Sequence, residues 1–276
     1  MSGITVLPHI LLSNDDGIYS NGIKTLAREL HSRKWNVTVI APRLQRSGEA
    51  KSITFDRPIR MQEIPLSYLD GKIGWRTTGT PADAVIHGVY QRTNGNNPPF
   101  DLVLSGINIG ENTSVHSILT SGTCAVSFEA ALLGLPAIAF SIDADESHFF
   151  DETAEPPGLQ IAAKTACEIA LKVLKHGLPE GVAFLNINFP DTVSEETPIE
   201  ICQMAMSKYR DYTIEKQDPR GVPYYWIWGT MLELSENTDA YAVLKKKVIS
   251  ITPITLYFDG RSIPEIYSSL RYLEKG

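Results

Sequence analysis

The chain has 276 residues, 43% hydrophobic and 21% charged, enough apolar material for one large α/β domain or two small ones. Its 25 basic residues against 32 acidic ones give a net charge of −7, which argues against a general nucleic-acid coat or an anionic-membrane binder. Three scattered cysteines, Cys124, Cys167 and Cys202, supply neither a disulfide framework nor a thiolate zinc site and point to a reducing compartment.

The opening Met1-Ser2-Gly3-Ile4 lacks the basic flank, apolar run and cleavage site of a signal peptide, so a cytoplasmic protein is expected. His9-Ile10-Leu11-Leu12 is a short apolar run stopped by Ser13-Asn14-Asp15-Asp16-Gly17, the pattern of a buried strand ending in a turn. Ile23, Leu26, Ala27 and Leu30 then recur at helical spacing, and residues 36–40 form the next strand, closed by Ala41-Pro42. Strand, helix and strand over about thirty residues make a βαβ unit with parallel strands.

Residues 53–64 and 73–77 break this rhythm and read as irregular strands or a hairpin. A helix is predicted from Pro81 to Tyr90, with proline in its first turn, then a strand at Leu102-Val103-Leu104. The apolar stretch from Cys124 to Ile142 is broken by Glu129 and Gly134-Leu135-Pro136, so it predicts a helix, a turn and a strand instead of a membrane span. A further helix, 159–174, precedes a strand at 182–187. The alternation predicts a doubly wound, Rossmann-like, mostly parallel sheet with helices on both faces.

Beyond Pro198 the texture becomes β-type, at 199–204, 224–228 and 248–254. The chain therefore divides into an α/β core at 1–197 carrying the site and a β-rich extension at 198–276 belonging to the same domain. Residues 208–228 mix aromatics with charges around a Pro219-Arg220-Gly221 turn, which predicts a hairpin arm. Exposed Tyr224, Tyr225, Trp226 and Trp228 would be unfavourable on a monomer, so the arm is expected to pack on a partner subunit; an arm folded back on its own core is the alternative.

In open parallel sheets the binding crevice lies beyond the carboxyl ends of the strands. The segments there are Ser13 to Gly17, Arg43 to Gly48, Ser105-Gly106-Ile107-Asn108 and the helix start Thr120-Ser121-Gly122-Thr123. Adjacent carboxylates at Asp15-Asp16 repel each other, and a site that ionises both normally supplies a cation. The surroundings offer oxygen ligands, which favours Mg²⁺ or Mn²⁺ over zinc. The same doublet also fits a helix cap with a solvated turn. Ser121-Gly122-Thr123 before an apolar helix suits a phosphate, and equally an ordinary cap. Asn108 and Ser47 read as site residues or as turn and loop residues. His116 lies in the loop between Asn108 and Ser121, and Cys124 reads as a buried small side chain. No dinucleotide fingerprint, P-loop, zinc-protease helix or serine-hydrolase elbow is present.

Taken in order, these segments resemble the SurE family of survival proteins, metal-dependent nucleotidases. The matching stretches are Leu11-Leu12-Ser13-Asn14-Asp15-Asp16-Gly17-Ile18, Ala41-Pro42 with Arg46-Ser47-Gly48, and Gly79-Thr80-Pro81-Ala82-Asp83. They continue through Ser105-Gly106-Ile107-Asn108 with Gly110 and Asn112, and through Ser121-Gly122-Thr123. Later come Asn186-Ile187-Asn188, Thr238-Asp239 and Ser250-Ile251-Thr252-Pro253. Two departures stand out: Arg43 follows Ala41-Pro42 where the family usually has aspartate, and Thr120 stands where tyrosine is usual.

The resemblance implies that Asp15, Asp16, Ser47 and Asn108 hold one divalent cation per subunit, Mg²⁺ or Mn²⁺, with Asp15 and Asp16 also catalytic. It implies phosphate binding by Ser121, Gly122 and Thr123, and substrate contacts from Asn14, Arg46, Gly48 and Asn112. The implied activity is hydrolysis of nucleoside 5′-monophosphates, with 3′-monophosphates also allowed; a broad phosphatase or exopolyphosphatase and a non-turnover nucleotide sensor are the alternatives. No nucleic-acid or membrane partner is implied. Members form dimers or tetramers by exchanging C-terminal segments, so a homodimer or homotetramer is expected.

Overall fold

Strand β1 (His9–Ser13) carries Ile10, Leu11 and Leu12, all fully buried in a computed structural model that describes residues 7–93, 100–145 and 155–257. The readings of Met1 to Ile4 and of residues 258–276 lie outside those described. β1 is flanked in parallel by β2 (Asn36–Pro42) and β5 (Leu102–Ile109). A strand covered on both faces needs a continuous apolar run, which is why these segments show no alternation.

Among the described residues, nine strands form the main sheet. From β2 it grows outward through β4 (Lys72–Thr77) to β3 (Met61–Leu66), which together form the antiparallel hairpin that the irregular stretch predicted. From β5 it grows the other way through β6 (Ala137–Ile142) and β7 (Phe184–Phe189). The sheet reverses its order of growth between β1 and β5, the position at which α/β sheets open a crevice. Beyond 198 the chain divides. β8 (Ile199–Ile201) and β11 (Ile249–Ile254) extend the main sheet, β11 lying antiparallel to β7. Among the described residues, β9 (Tyr209–Gln217) and β10 (Pro223–Met231) pair only with each other.

Helices cover both faces. α1 (Asn21–Ser32) and α5 (Leu159–His176) bury Ile23, Leu26, Leu30, Ala166 and Val173 on one side. α2 (Pro81–Thr93) and α4 (Gly122–Leu132) bury Ala84, Val85, Val126 and Phe128 on the other. α4 is buried almost all round, which explains why its sequence reads as uniformly apolar. Among the described residues, no helix is long and apolar enough to cross a membrane.

Two local features differ from expectation. β5 does not stop at Leu104 but runs to Ile109, with a register shift between Ser105 and Asn108. There a Cβ on Gly106 would sit 2.2 Å from the Phe140 carbonyl oxygen, and one on Gly22 would sit 1.8 Å from that of Ile107. Glycine on both elements lets α1 close onto the irregular strand. The segment between Asn108 and Ser121 is not all loop; it contains α3 (Ser114–Thr120).

Candidate active site

The turn after β1 is built by Asn14, whose Nδ2 donates to the Gly17 carbonyl (3.0 Å) and to Ser20 Oγ (2.8 Å). Its Oδ1 accepts from the Gly17 N–H, and Gly17 adopts φ +102°. Fully buried and committed to the turn, Asn14 is scaffold and does not line the cavity described below. Asp15 and Asp16 follow it, only 4% and 8% exposed.

Asp15 meets the start of α4 directly. Its Oδ1 accepts a hydrogen bond from the Thr123 hydroxyl, and the Gly122 and Thr123 amides also bond its carboxylate. A Cβ on Gly122 would lie 2.5 Å from Asp15 Cβ, so this seat exists only because residue 122 has no side chain. Burial pushes the Asp15 carboxyl above the ordinary carboxylate range, while the Thr123 hydroxyl and the amides pull it back. Of the three residues expected to hold phosphate, Gly122 and Thr123 therefore contact the carboxylate. Ser121 lines the cavity and caps α4, accepting from the Cys124 N–H at 3.0 Å. Burial pushes the Cys124 thiol up to about 12, which makes it inert.

Ser47 and Gly48 reach the same cavity on a loop without regular structure. That loop is fixed from several sides. Arg46 donates from its backbone to the Asp15 carbonyl (2.7 Å) and from its guanidinium to Glu49 (2.8 Å) and the Thr78 carbonyl (3.0 Å). Asp83 accepts from the Thr54 hydroxyl (2.6 Å) and the Thr80 N–H (2.9 Å), and the Thr80 hydroxyl donates to the Ser52 carbonyl (2.7 Å). The Gly79-Thr80-Pro81-Ala82-Asp83 stretch is thus the anchor of the Ser47 loop. Arg46 is part of that anchoring and is absent from the cavity wall.

Asn108 ends the irregular part of β5 and donates its Nδ2 to the Gly110 carbonyl at 2.6 Å, which keeps Oδ1 for a ligand. Asn112 also lines the cavity and is clipped from below. Its N–H donates to Asn188 Oδ1 (2.7 Å), its Nδ2 to Ser141 Oγ (2.9 Å), and its carbonyl accepts from Asn186 Nδ2 (2.8 Å). Strand register places Asn108, Ser141, Asn188 and Ser250 in one row across four strands, and Ser141 and Asn188 of that row hold Asn112.

The cavity, of about 300 Å³, thus gathers Asp15, Ser47, Gly48, Asn108, Asn112 and Ser121. Its opposite wall was not predicted. Glu111, Lys208 and Tyr209 stand there, and the Lys208 ammonium pairs with Glu111 Oε1 with both side chains only 8% exposed. Glu111 also accepts from the Thr113 N–H at 2.8 Å. No local pattern announces this pair, because Lys208 arrives from the base of the hairpin arm. His116 lies outside the cavity, 3.8 Å from Asp211 on β9.

The family model for survival protein SurE matches residues 10–211. The chain belongs to the SurE family. A protein of Methanosarcina mazei named 5′-nucleotidase SurE is 43% identical over 258 residues, covering 92% of this chain and 94% of its own. One of the same name from Methanocaldococcus jannaschii is 43% identical over 251 residues, covering 90% and 91%. The crystal structure of the SurE protein from Aquifex aeolicus superposes with a TM-score of 0.78 at 35% identity, covering 97% of this chain and all of that one.

The donor set of this SurE chain fits a hard divalent cation. Among the described residues, no group of three or more His, Cys, Asp or Glu side chains could hold a metal, and of the two adjacent carboxylates Asp15 lines the cavity. Asp15, Ser47 and Asn108 supply oxygen of both kinds in one cavity, the chemistry that suits Mg²⁺ or Mn²⁺. A carboxylate buried as deeply as Asp15 is also one that a cation would stabilise.

Proposed function

We propose that this SurE protein hydrolyses nucleoside 5′-monophosphates to nucleoside and phosphate, using one divalent cation, Mg²⁺ or Mn²⁺, held by Asp15, Asp16, Ser47 and Asn108. The observation that carries the reading is the convergence of hard oxygen groups from the ends of β1, β2 and β5 on one cavity, whose further side is the start of a buried helix. The relatives named 5′-nucleotidase support the same chemistry. A divalent cation bound there supplies Lewis-acid polarisation of a phosphoryl oxygen and neutralises developing charge.

The chain's own residues do the rest. Ser121 offers a hydroxyl donor to phosphoryl oxygens at the positive end of α4, while the Gly122 and Thr123 amides hold the Asp15 carboxylate in place. The Thr123 hydroxyl orients the Asp15 carboxylate. Gly48 lets the Ser47 loop turn at φ +76°. Asn112, held at three points, and the Lys208–Glu111 wall face the remainder of the substrate.

The test is phosphate release from AMP, GMP, p-nitrophenyl phosphate and short polyphosphate, each with Mn²⁺ and with Mg²⁺. Nucleotides are expected to be the best substrates by kcat/KM. Equal rates on all four would favour a broad phosphatase, and tight nucleotide binding without release would favour a sensor.

We also propose that the hairpin arm packs on a partner subunit in a homodimer or homotetramer. Tyr225, Trp226 and Ile227 are 59%, 61% and 76% exposed on a two-stranded sheet that no other strand among the described residues joins. Light scattering is expected to give at least twice the chain mass at every concentration; a monomer throughout would remove this reading.

A further inference from the structure

The geometry points to Asp239 as a positioning residue that sets the phosphate-binding helix start and the Lys208–Tyr209 wall in register with each other. Asp239 opens α6 (Asp239–Leu244), is fully buried, and touches neither the cavity nor the proposed metal ligands. Its carboxylate accepts backbone N–H groups from separate parts of the chain. Oδ2 takes Ser114 at 2.9 Å, and Oδ1 takes Ala205 at 2.9 Å and Ala240 at 2.8 Å.

Two of those three contacts, to Ser114 and Ala205, fall on the two segments that supply the cavity walls. Ser114 begins α3, whose far end delivers Ser117, Thr120 and Ser121 to the cavity. Ala205 precedes Lys208 and Tyr209. The two segments also bond each other: the Val115 N–H donates to the Ala205 carbonyl (2.8 Å) and the His116 N–H to that of Met206 (3.2 Å). The first turn of α3 is therefore satisfied by another part of the chain and by Asp239.

A second, independent feature marks the same point. Ser114 sits at φ +77°, a conformation that a side-chain-bearing residue holds only when its surroundings impose it. The Asp239 carboxylate on its N–H is one such constraint. α3 is seven residues long, so it spans roughly 10 Å and carries any tilt at Ser114 to the helix start at Ser121.

The test rests on the phosphatase reading and uses Asp239→Asn. The amide keeps the shape but has only one acceptor oxygen; with that oxygen on Ala205 and Ala240, its NH₂ faces the Ser114 N–H, donor against donor. Burial pushes the Asp239 carboxyl above its ordinary range, so loss of the charge does not by itself threaten the fold.

The expected result, well below the unfolding temperature, is a fall of about tenfold to a hundredfold in kcat with AMP and with p-nitrophenyl phosphate. KM and the Mn²⁺ concentration for half-maximal activity should stay within about threefold, because misplaced donors weaken the transition state more than they weaken binding. A lowered Tm with wild-type kcat would make Asp239 merely structural and overturn the proposal.

If Asp239→Asn does not fold, Thr238→Ala tests the same point. Thr238 caps the turn that carries Asp239, and a smaller loss of kcat in the same direction is expected, unchanged kcat overturning the assignment. If the wild type releases no phosphate, the phosphatase reading fails separately. Hydrogen exchange then decides: Asp239→Asn should speed amide exchange at residues 114–121 and 205–209 by about tenfold relative to the rest of the chain, and unchanged exchange there would overturn the role given to Asp239.

Discussion

Asp15→Asn is expected to lower kcat/KM for AMP by about a thousandfold, the equivalent of roughly 4 kcal/mol of lost charge stabilisation. The substitution keeps the side chain's shape, and its Oδ1 can still accept the Thr123 hydroxyl. What it removes is the more deeply buried of the two adjacent carboxylates, the one that lines the cavity with Ser47 and Asn108. A neutral amide also removes the desolvation cost of a buried charge, which outweighs its hydrogen bonds in the wild type, so the variant in EDTA should be at least as stable as the wild type. Adding Mn²⁺ at about a hundred times its dissociation constant stabilises a binding protein by about 2.7 kcal/mol. Thermal unfolding should show that gain for the wild type and none for Asp15→Asn. A variant with full activity and a full Mn²⁺ shift would refute the ligand assignment.

Gly122→Ala is expected to cost about a hundredfold in kcat/KM, although alanine normally improves a helix by about 1 kcal/mol over glycine. The new Cβ would lie 2.5 Å from Asp15 Cβ and 2.8 Å from its Oδ2. Both partners are buried and neither is the far end of a flexible chain, so the carboxylate or the helix start must move. Overpacking of this kind costs about 1–3 kcal/mol, enough to cancel the helical gain, and a displacement of about 1 Å at a reacting centre accounts for the loss in rate. Kinetics with AMP beside a melting curve decide the matter. Wild-type kinetics would mean that Asp15 and α4 tolerate separation and that their contact has no bearing on turnover.

The parts of this molecule legible in the sequence are those where one local pattern has one physical cause. Ile10, Leu11 and Leu12 read as a doubly covered strand because such a strand has no solvent face. The turn at residues 13–17 and the helix start at Ser121 are visible because strand ends and helix caps use few residue types. Asn14 and Arg46 show the limit. A polar side chain beside a site has the same letter whether it meets substrate or spends its hydrogen bonds on the surrounding chain, and both of these make the second kind of bond.

Long-range pairing is harder still. β11 inserts between β7 and β8 from a distant part of the chain, and the Lys208–Glu111 wall joins residues 97 positions apart, so no window of sequence contains either. α3 was hidden for a different reason. It is short, begins at a residue with positive φ, and draws its first-turn hydrogen bonds from Asp239 and residues 205–206, none of which a helical periodicity records.

The most direct measurement is phosphate release from AMP by the wild type with Mn²⁺, after EDTA, and again after Mn²⁺ is restored in excess, with Asp15→Asn alongside. The arrangement of Asp15, Asp16, Ser47 and Asn108 predicts release that stops with EDTA, returns with Mn²⁺ and is nearly absent in the variant. Release that persists in EDTA, or that survives loss of the Asp15 carboxylate, would contradict a hydrolase built around a cation at this crevice.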